Sequence, residues 1–251
     1  MQPLVRSLDL SALFHDISNT YGVVVLILNQ IIEGDYGYTL EEIRPLLMAA
    51  LEANNRVVRL MESKSLFQGI DLATVTKFDM LAFLQRKHLE FSPIAQHNSL
   101  RLHYETSLSY KHGTEVQADI VNIERMLCNL LTNAIKYTNR GDIFLRLFNQ
   151  GDDLVVEIED TGVGISPENL SNIFMPFWRS PHHSVSLTGM GLGLYIALCI
   201  AHAHGLKMTA NSVLGKGTKF TIIFPYTDEG MYGLNGTICP KSERLQDALF
   251  I

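Results

Sequence analysis

Two successive heptad patterns near the N-terminus constrain this chain more than any other feature. Leu10, Phe14, Ile17, Tyr21, Val24, Leu28 and Ile31 recur at alternating spacings of four and three. That marks one apolar seam along a single long helix over residues 8–33. The stretch Glu33-Gly34-Asp35-Tyr36-Gly37 breaks the pattern, and Thr39 stands as an N-cap before Glu41 and Glu42. A second seam follows through Leu40, Ile43, Leu47, Ala50, Asn54, Val57 and Met61. Two helices of this length cannot bury both seams against each other alone. They either pack on the rest of the chain or pair with a second copy as a four-helix bundle.

The remaining residues have another texture. Residues 66–78 read as a linker, 79–227 as a domain of mixed helix and strand, and 228–251 as an unassigned tail with no strong period. Asp119 can cap a helix running through Leu127, Leu131, Ala134 and Ile135. Ile143, Leu145 and Leu147 alternate as a strand. Gln150-Gly151-Asp152-Asp153 is a hairpin turn into a second strand, Leu154–Glu159, and Lys219–Phe224 is a further strand closed by Pro225. Of the 251 residues, 47% are apolar and 18% charged, enough for a substantial core and against wholesale disorder. A net charge of −6 without a basic stripe argues against direct nucleic-acid binding. The longest apolar run, Leu194–Ala201, is far shorter than the roughly 18–20 residues a membrane span requires. Cys128, Cys199 and Cys239 form neither a disulfide framework nor a zinc pattern, and the first two read as buried small residues. The expected location is cytoplasmic, with no membrane segment in this chain.

Four motifs carry chemistry. In Asn129-Leu130-Leu131-Thr132-Asn133-Ala134-Ile135-Lys136-Tyr137, the residues Asn129, Asn133 and Lys136 share one helix face. Two amides and an ammonium there suit a hydrated cation and phosphates, although a solvated polar face looks the same. Asp160-Thr161-Gly162-Val163-Gly164-Ile165 follows directly on a strand. Its glycines permit close backbone approach to a ligand, and the carboxylate of Asp160 can accept a hydrogen bond from an amino group. Taken alone, such a stretch is also how a turn looks. Gly189-Met190-Gly191-Leu192-Gly193-Leu194 runs into a helix, Tyr195–His204. A glycine loop that opens a helix offers N–H groups and a positive dipole end to phosphate. The spacing is neither a dinucleotide fingerprint nor a P-loop. Gly215-Lys216-Gly217-Thr218-Lys219-Phe220 is a turn into a strand.

The order and spacing of these motifs resemble the GHKL ATPase superfamily, and within it the catalytic domain of two-component sensor histidine kinases. Asn129–Thr138 resembles the N box, Asp160–Ile165 the G1 box, Ile173-Phe174-Met175-Pro176-Phe177 the F box and Gly189–Leu194 the G2 box. The resemblance covers about residues 79–227. It implies an α+β chain, with an N-terminal helical hairpin (1–65) forming a dimeric four-helix bundle and then a Bergerat-type α/β sandwich that binds ATP under a lid, Arg179–Thr188. By resemblance Asn133 ligates Mg²⁺, Asp160 holds adenine, Lys136 lies near the phosphates and Arg179 contacts a phosphate. Asn129, Tyr137, Gly162, Gly164, Gly189, Gly191, Gly193, Leu194 and Thr218 complete the implied nucleotide site. Hydrolysing relatives usually have a Glu where Asn129 stands. An amide is a poor base, which favours transfer to a protein side chain.

The acceptor is expected in Phe14-His15-Asp16-Ile17-Ser18-Asn19. His15 follows a seam residue and so projects just outside the seam, with Asp16 beside it and Asn19 one turn on. A carboxylate that accepts the second imidazole N–H keeps a nucleophilic histidine neutral and oriented. The stretch resembles the H box. The resemblance implies that His15 takes the γ-phosphoryl group with Asp16 as base, and that Asn19 positions water for dephosphorylation of a partner. That partner would be a response-regulator receiver domain. The competing class is a catalytically inactive dimeric GHKL scaffold or phosphotransfer adaptor, which the intact glycines and Asp160 argue against.

Overall fold

In the computed structural model, residues 24–33, 39, 41–50, 52–53, 72, 74–109, 111–178 and 191–226 are described. They fall into two units, Met1–Gln68 and Gly69–Ile251. In the first, residues 24–33 and 41–50 are helical. Thr39 Oγ1 accepts from the Glu42 N–H at 3.3 Å, and the Glu42 carboxylate accepts from the Thr39 N–H at 3.1 Å and its hydroxyl at 2.7 Å. This reciprocal capping box satisfies backbone donors at the start of the second helix, as the position of Thr39 foretold. Each helical segment shelters one stripe at helical spacing: Val24, Ile27 and Ile31 in the first, Ile43, Leu46 and Ala50 in the second. A second apolar stripe on the first segment is exposed: Val25, Leu28 at 43% and Ile32 at 81%. On the second segment Leu47 and Met48 are exposed as well. Leu28 and Leu47 are both heptad-seam positions. His15, Asp16 and Asn19 lie outside the described residues, as do Arg179, Gly189 and the tail 228–251.

The first strand of the second unit is β1 (Val75–Asp79); four of its five residues fall in the stretch read as linker, but they find an antiparallel partner in β3 (Glu115–Asp119). Both strands end in an aspartate that caps the next helix. Asp79 accepts from Leu81 N at 2.9 Å and opens α1 (Met80–His97). Asp119 accepts from Val121 N and Asn122 N at 3.0 and 3.1 Å and opens α2 (Ile120–Tyr137). One short two-stranded ribbon thus sets the starting points of two long helices.

The main sheet has the order β2-β4-β5-β7-β6. Its strands are β2 (Leu100–Ser107), β4 (Gly141–Gln150), β5 (Asp153–Asp160), β6 (Lys207–Val213) and β7 (Gly217–Phe224). β2 runs parallel to β4, and every other pairing is antiparallel. Side chains alternate between faces. Ile143, Leu145, Leu147, Leu154, Val156, Ile158, Phe220, Ile222 and Phe224 are buried together with the apolar faces of the helices. The opposite face is laced by charge. Arg146 pairs with Glu105 and Glu157 at 2.6 Å each and also with Glu159. Those pairs follow from the strand register, which sets Glu105 and Glu157 on either side of Arg146.

α3 (Pro167–Leu170) is a single turn, and α4 (Gly193–Ala203) is apolar on every side, as a central helix must be. Cys199 is buried within α4, whereas Cys128 on α2 is only half-buried, so the reading of both as buried holds for one. His204 ties the end of α4 to the start of α2. Its ring is fully buried, with Nδ1 at 2.8 Å from the Ile200 carbonyl and Nε2 at 3.1 Å from the Asp119 N–H. The first nitrogen must donate and the second accept, so the imidazole is neutral. Burial pushes its pKa below the ordinary 6.5. The unfolded chain takes up a proton below that value while the folded ring refuses it, so stability falls as pH falls. Melting temperatures measured from neutral pH downward should show a loss beginning near pH 6.5, and His204→Gln should remove that part of the acid limb.

Candidate functional site

The site is built where β5 ends. Asp160 is the last residue of β5, points toward the helical layer and is only 6% exposed. Its Oδ1 accepts from Gly162 N at 2.9 Å and from Thr218 N at 3.3 Å. Burial raises its pKa above the ordinary 3.8, and the two backbone donors oppose that rise. A carboxylate held out of water with two N–H partners on one oxygen can still accept a hydrogen bond from a ligand.

Space around Asp160 is reserved by missing side chains. A Cβ on Gly162 would stand 2.3 Å from the Tyr137 carbonyl and 2.8 Å from both Asp160 Oδ1 and Thr138 Oγ1. Gly217 has φ +114, and a Cβ there would stand 1.8 Å from the Asp160 carbonyl. No other residue fits either position. The glycine loop after β5 is pinned on both sides: Val163 N donates to Tyr137 O at 3.1 Å, and Gly215 N donates to Val163 O at 2.7 Å. Ile165 N donates to Ser212 Oγ at 2.8 Å.

The second wall is α2. Asn129, Asn133 and Lys136 are half-buried on one side of it, beside the fully packed Leu127, Leu130, Leu131 and Ala134. Lys136 Nζ lies 5.3 Å from the centre of the Tyr137 ring, which is partly exposed. A Cβ on Gly193 would meet the Asn129 side chain at 3.5 Å, so the start of α4 abuts this face of α2. Asn129 Nδ2 is buried without a hydrogen-bond partner among the described residues. Leu192 occupies the N-cap of α4 and supplies no side-chain acceptor, so the first turn of that helix keeps its N–H groups for something else. Gly191, with φ +73, precedes it and accepts from Phe177 N at 3.0 Å.

Thus Asn129, Gly193 and Leu194 meet at the start of α4, and Asp160, Gly162 and Thr218 gather at the end of β5. Gly164 sits further along the glycine loop against the β6–β7 turn, where its Cβ would clash with Val213 O at 2.1 Å. Thr138, Ser212 and Gly217 belong to the same surroundings but were not singled out from the sequence. Gly217 lay in a recognised glycine motif. Thr138 closed the N-box stretch without being picked out as a site residue, and Ser212 carried no signal, since an isolated hydroxyl has no period.

Residues 118–228 match the family model described as "Histidine kinase-, DNA gyrase B-, and HSP90-like ATPase". Residues 118–228 therefore form a domain of this ATPase kind. Among curated proteins, the chain is 34% identical over 131 residues to the aerobic respiration control sensor protein ArcB of Escherichia coli K12, across 51% of this chain and 17% of that one. It is 28% identical over 222 residues to the sensor histidine kinase YclK of Bacillus subtilis, across 84% of this chain and 46% of that one. The chain therefore spans less than half the length of these relatives. The crystal structure of full-length ShkA in complex with AMPPNP aligns with a TM-score of 0.70 at 20% identity, over 90% of this chain and 46% of that one, a likeness of fold.

Because the folded state raises the pKa of Asp160, its charge opposes folding at neutral pH. Asp160→Asn keeps an acceptor for Gly162 N and Thr218 N while removing that charge. Its melting temperature should equal or exceed that of the wild type, as a thermal melt without added nucleotide will show.

Proposed function

We propose that this chain is the core of an ATP-dependent protein-histidine kinase. The observation that carries the proposal is the buried carboxylate of Asp160 at the end of β5, set with an uncapped helix start and an amide, Asn129 Nδ2, that has no partner among the described residues on the neighbouring wall. In this reading Asp160 accepts from the adenine amino group, and the α4 N-terminus with Gly191, Gly193 and Leu194 receives phosphate. Lys136 supplies a positive charge nearby, and Tyr137 borders the nucleotide. Arg179 and Gly189 would complete the phosphate side. The donor set fits Mg²⁺, since amide oxygens and phosphate oxygens are the hard ligands it takes. Asn133 would hold the ion, with Asn129 next to it, and the ion would neutralise charge on the phosphates.

His15 would attack the γ-phosphorus of ATP. A P–N bond forms, the bond to the bridging oxygen breaks, ADP leaves and the imidazole proton passes to Asp16. The phosphoryl group then moves to an aspartate of a response-regulator receiver domain. Asn19 would orient water for the reverse task, removing phosphate from that aspartate. Residues 1–65 form the dimerisation and acceptor hairpin and 79–227 the catalytic domain. The exposed stripe Val25, Leu28 and Ile32, with Leu47 and Met48, supports a homodimer, because five large apolar side chains in water call for a cover.

Incubation with γ-labelled ATP and Mg²⁺ should give a label that survives alkali and is lost in acid. His15→Ala should abolish it without changing affinity for an ATP analogue. Asp160→Asn should weaken that affinity by roughly ten- to a hundredfold, the worth of one charge-assisted hydrogen bond. Asp16→Asn should slow labelling by about 10²–10⁴-fold, whereas Asn19→Ala should slow only dephosphorylation of the partner. A wild type that binds the analogue but never labels would leave a nucleotide-binding scaffold instead. Light scattering should give twice the chain mass, and Leu28→Glu with Leu47→Glu should shift it toward the monomer.

A further inference from the structure

Asp160, Thr218 and Ser212 form one row across β5, β7 and β6. The register sets Asp160 opposite Thr218 and Thr218 opposite Ser212, so all three side chains leave the same face of the sheet. Ser212 Oγ lies 2.8 Å from Ile165 N, 2.9 Å from the Gly217 carbonyl and 2.9 Å from Thr218 Oγ1. A hydroxyl has one proton. The Ile165 N–H can only donate and the Gly217 carbonyl can only accept, so the Ser212 proton goes to Gly217. Were it aimed at Thr218, two oxygen lone pairs would face each other across 2.9 Å at Gly217. All three contacts are satisfied only if Thr218 donates to Ser212. What Thr218 then shows to a ligand is lone pairs.

We infer that Ser212 is a positioning residue that fixes Thr218 as a hydrogen-bond acceptor beside the acceptor Asp160, so that the pair selects a 6-aminopurine over a 6-oxopurine nucleotide. The inference rests on the reading of Asp160 as the base-binding residue. An unrestrained threonine hydroxyl could turn and donate to a 6-oxo group, and the Ser212 contact denies it that rotation. Asp160 supplies one acceptor for the exocyclic amino group, and Thr218 adds a second of the same polarity. The row is buried enough to make polarity matter: Asp160 and Thr218 are both buried, and an unmatched acceptor pair there is costly.

The test compares the affinities of ATP and inosine triphosphate for the full chain. Ser212→Ala should lower the ATP-to-ITP preference by about three- to tenfold, the value of one neutral hydrogen bond, chiefly by improving ITP binding. Thr218→Val removes the acceptor and should lower the preference by a similar factor. In that background Ser212→Ala should change the ratio no further, because the hydroxyl it restrains is gone. Equal weakening of both nucleotides by Ser212→Ala would make the serine merely structural and overturn the inference. So would an unchanged ratio in Thr218→Val, which serves where Ser212→Ala does not fold. A wild type that binds neither nucleotide would overturn the reading of Asp160 itself, a failure visible before any variant is compared.

Discussion

A carboxylate withdrawn from water at the end of the central strand is the constraint around which the second unit is arranged. Burial of a charge is unfavourable unless donors meet it, and here they come from two directions, the Gly162 and Thr218 N–H groups. Both donors arrive only because side chains are missing where the backbones meet. The glycine loop after β5 must press against the β6–β7 turn, and the turn must press against the carbonyl of Asp160 itself. Strand order does the rest: β5 lies between β4 and β7, so the carboxylate emerges from the interior of the sheet.

The opposite wall owes its position to ties remote from the site. The Asp119 side chain starts α2 while its N–H holds His204, the residue that ends α4. One aspartate therefore fixes the beginning of one helix and the end of the other. With their far ends joined, the two helices converge where Asn129 meets Gly193. The chemistry proposed for that corner depends on a neutral histidine at the other end of α4.

Periodicity made some elements legible and concealed others. α2 was readable because its cap, its apolar stripe and its polar stripe agree along its whole length. β4 was readable from the strict alternation of Ile143, Leu145 and Leu147. α1 was not, for its inward face includes Lys87 while Leu89 and Ile94 point to solvent, and Pro93 stands inside it. β1 was read as linker because a five-residue strand with Lys77 at its centre has no pattern of its own; pairing with β3 defines it. In the site, glycines and charged residues announced themselves at the level of motif. Ser212 did not, because its importance lies in contacts between strands and loops that only the fold brings together. The F-box phenylalanine adds a further case: Phe177 adopts φ +65, a left-handed backbone that no apolar pattern could reveal.

The proposed nucleotide site borrows one of its supports from the margin of the sheet. Among the described residues β6 has a single neighbour, β7, whereas β5 and β7 each have two. Edge strands open more readily than central ones, since half of their backbone groups lack a ladder partner. Ser212 stands on that edge, yet it holds Ile165 of the glycine loop and Thr218 of the interior strand. Fraying of β6 would therefore release the loop before it disturbed Asp160. Conversely, whatever occupies the pocket would slow amide exchange along β6, so an edge strand becomes the one that registers whether the pocket is filled.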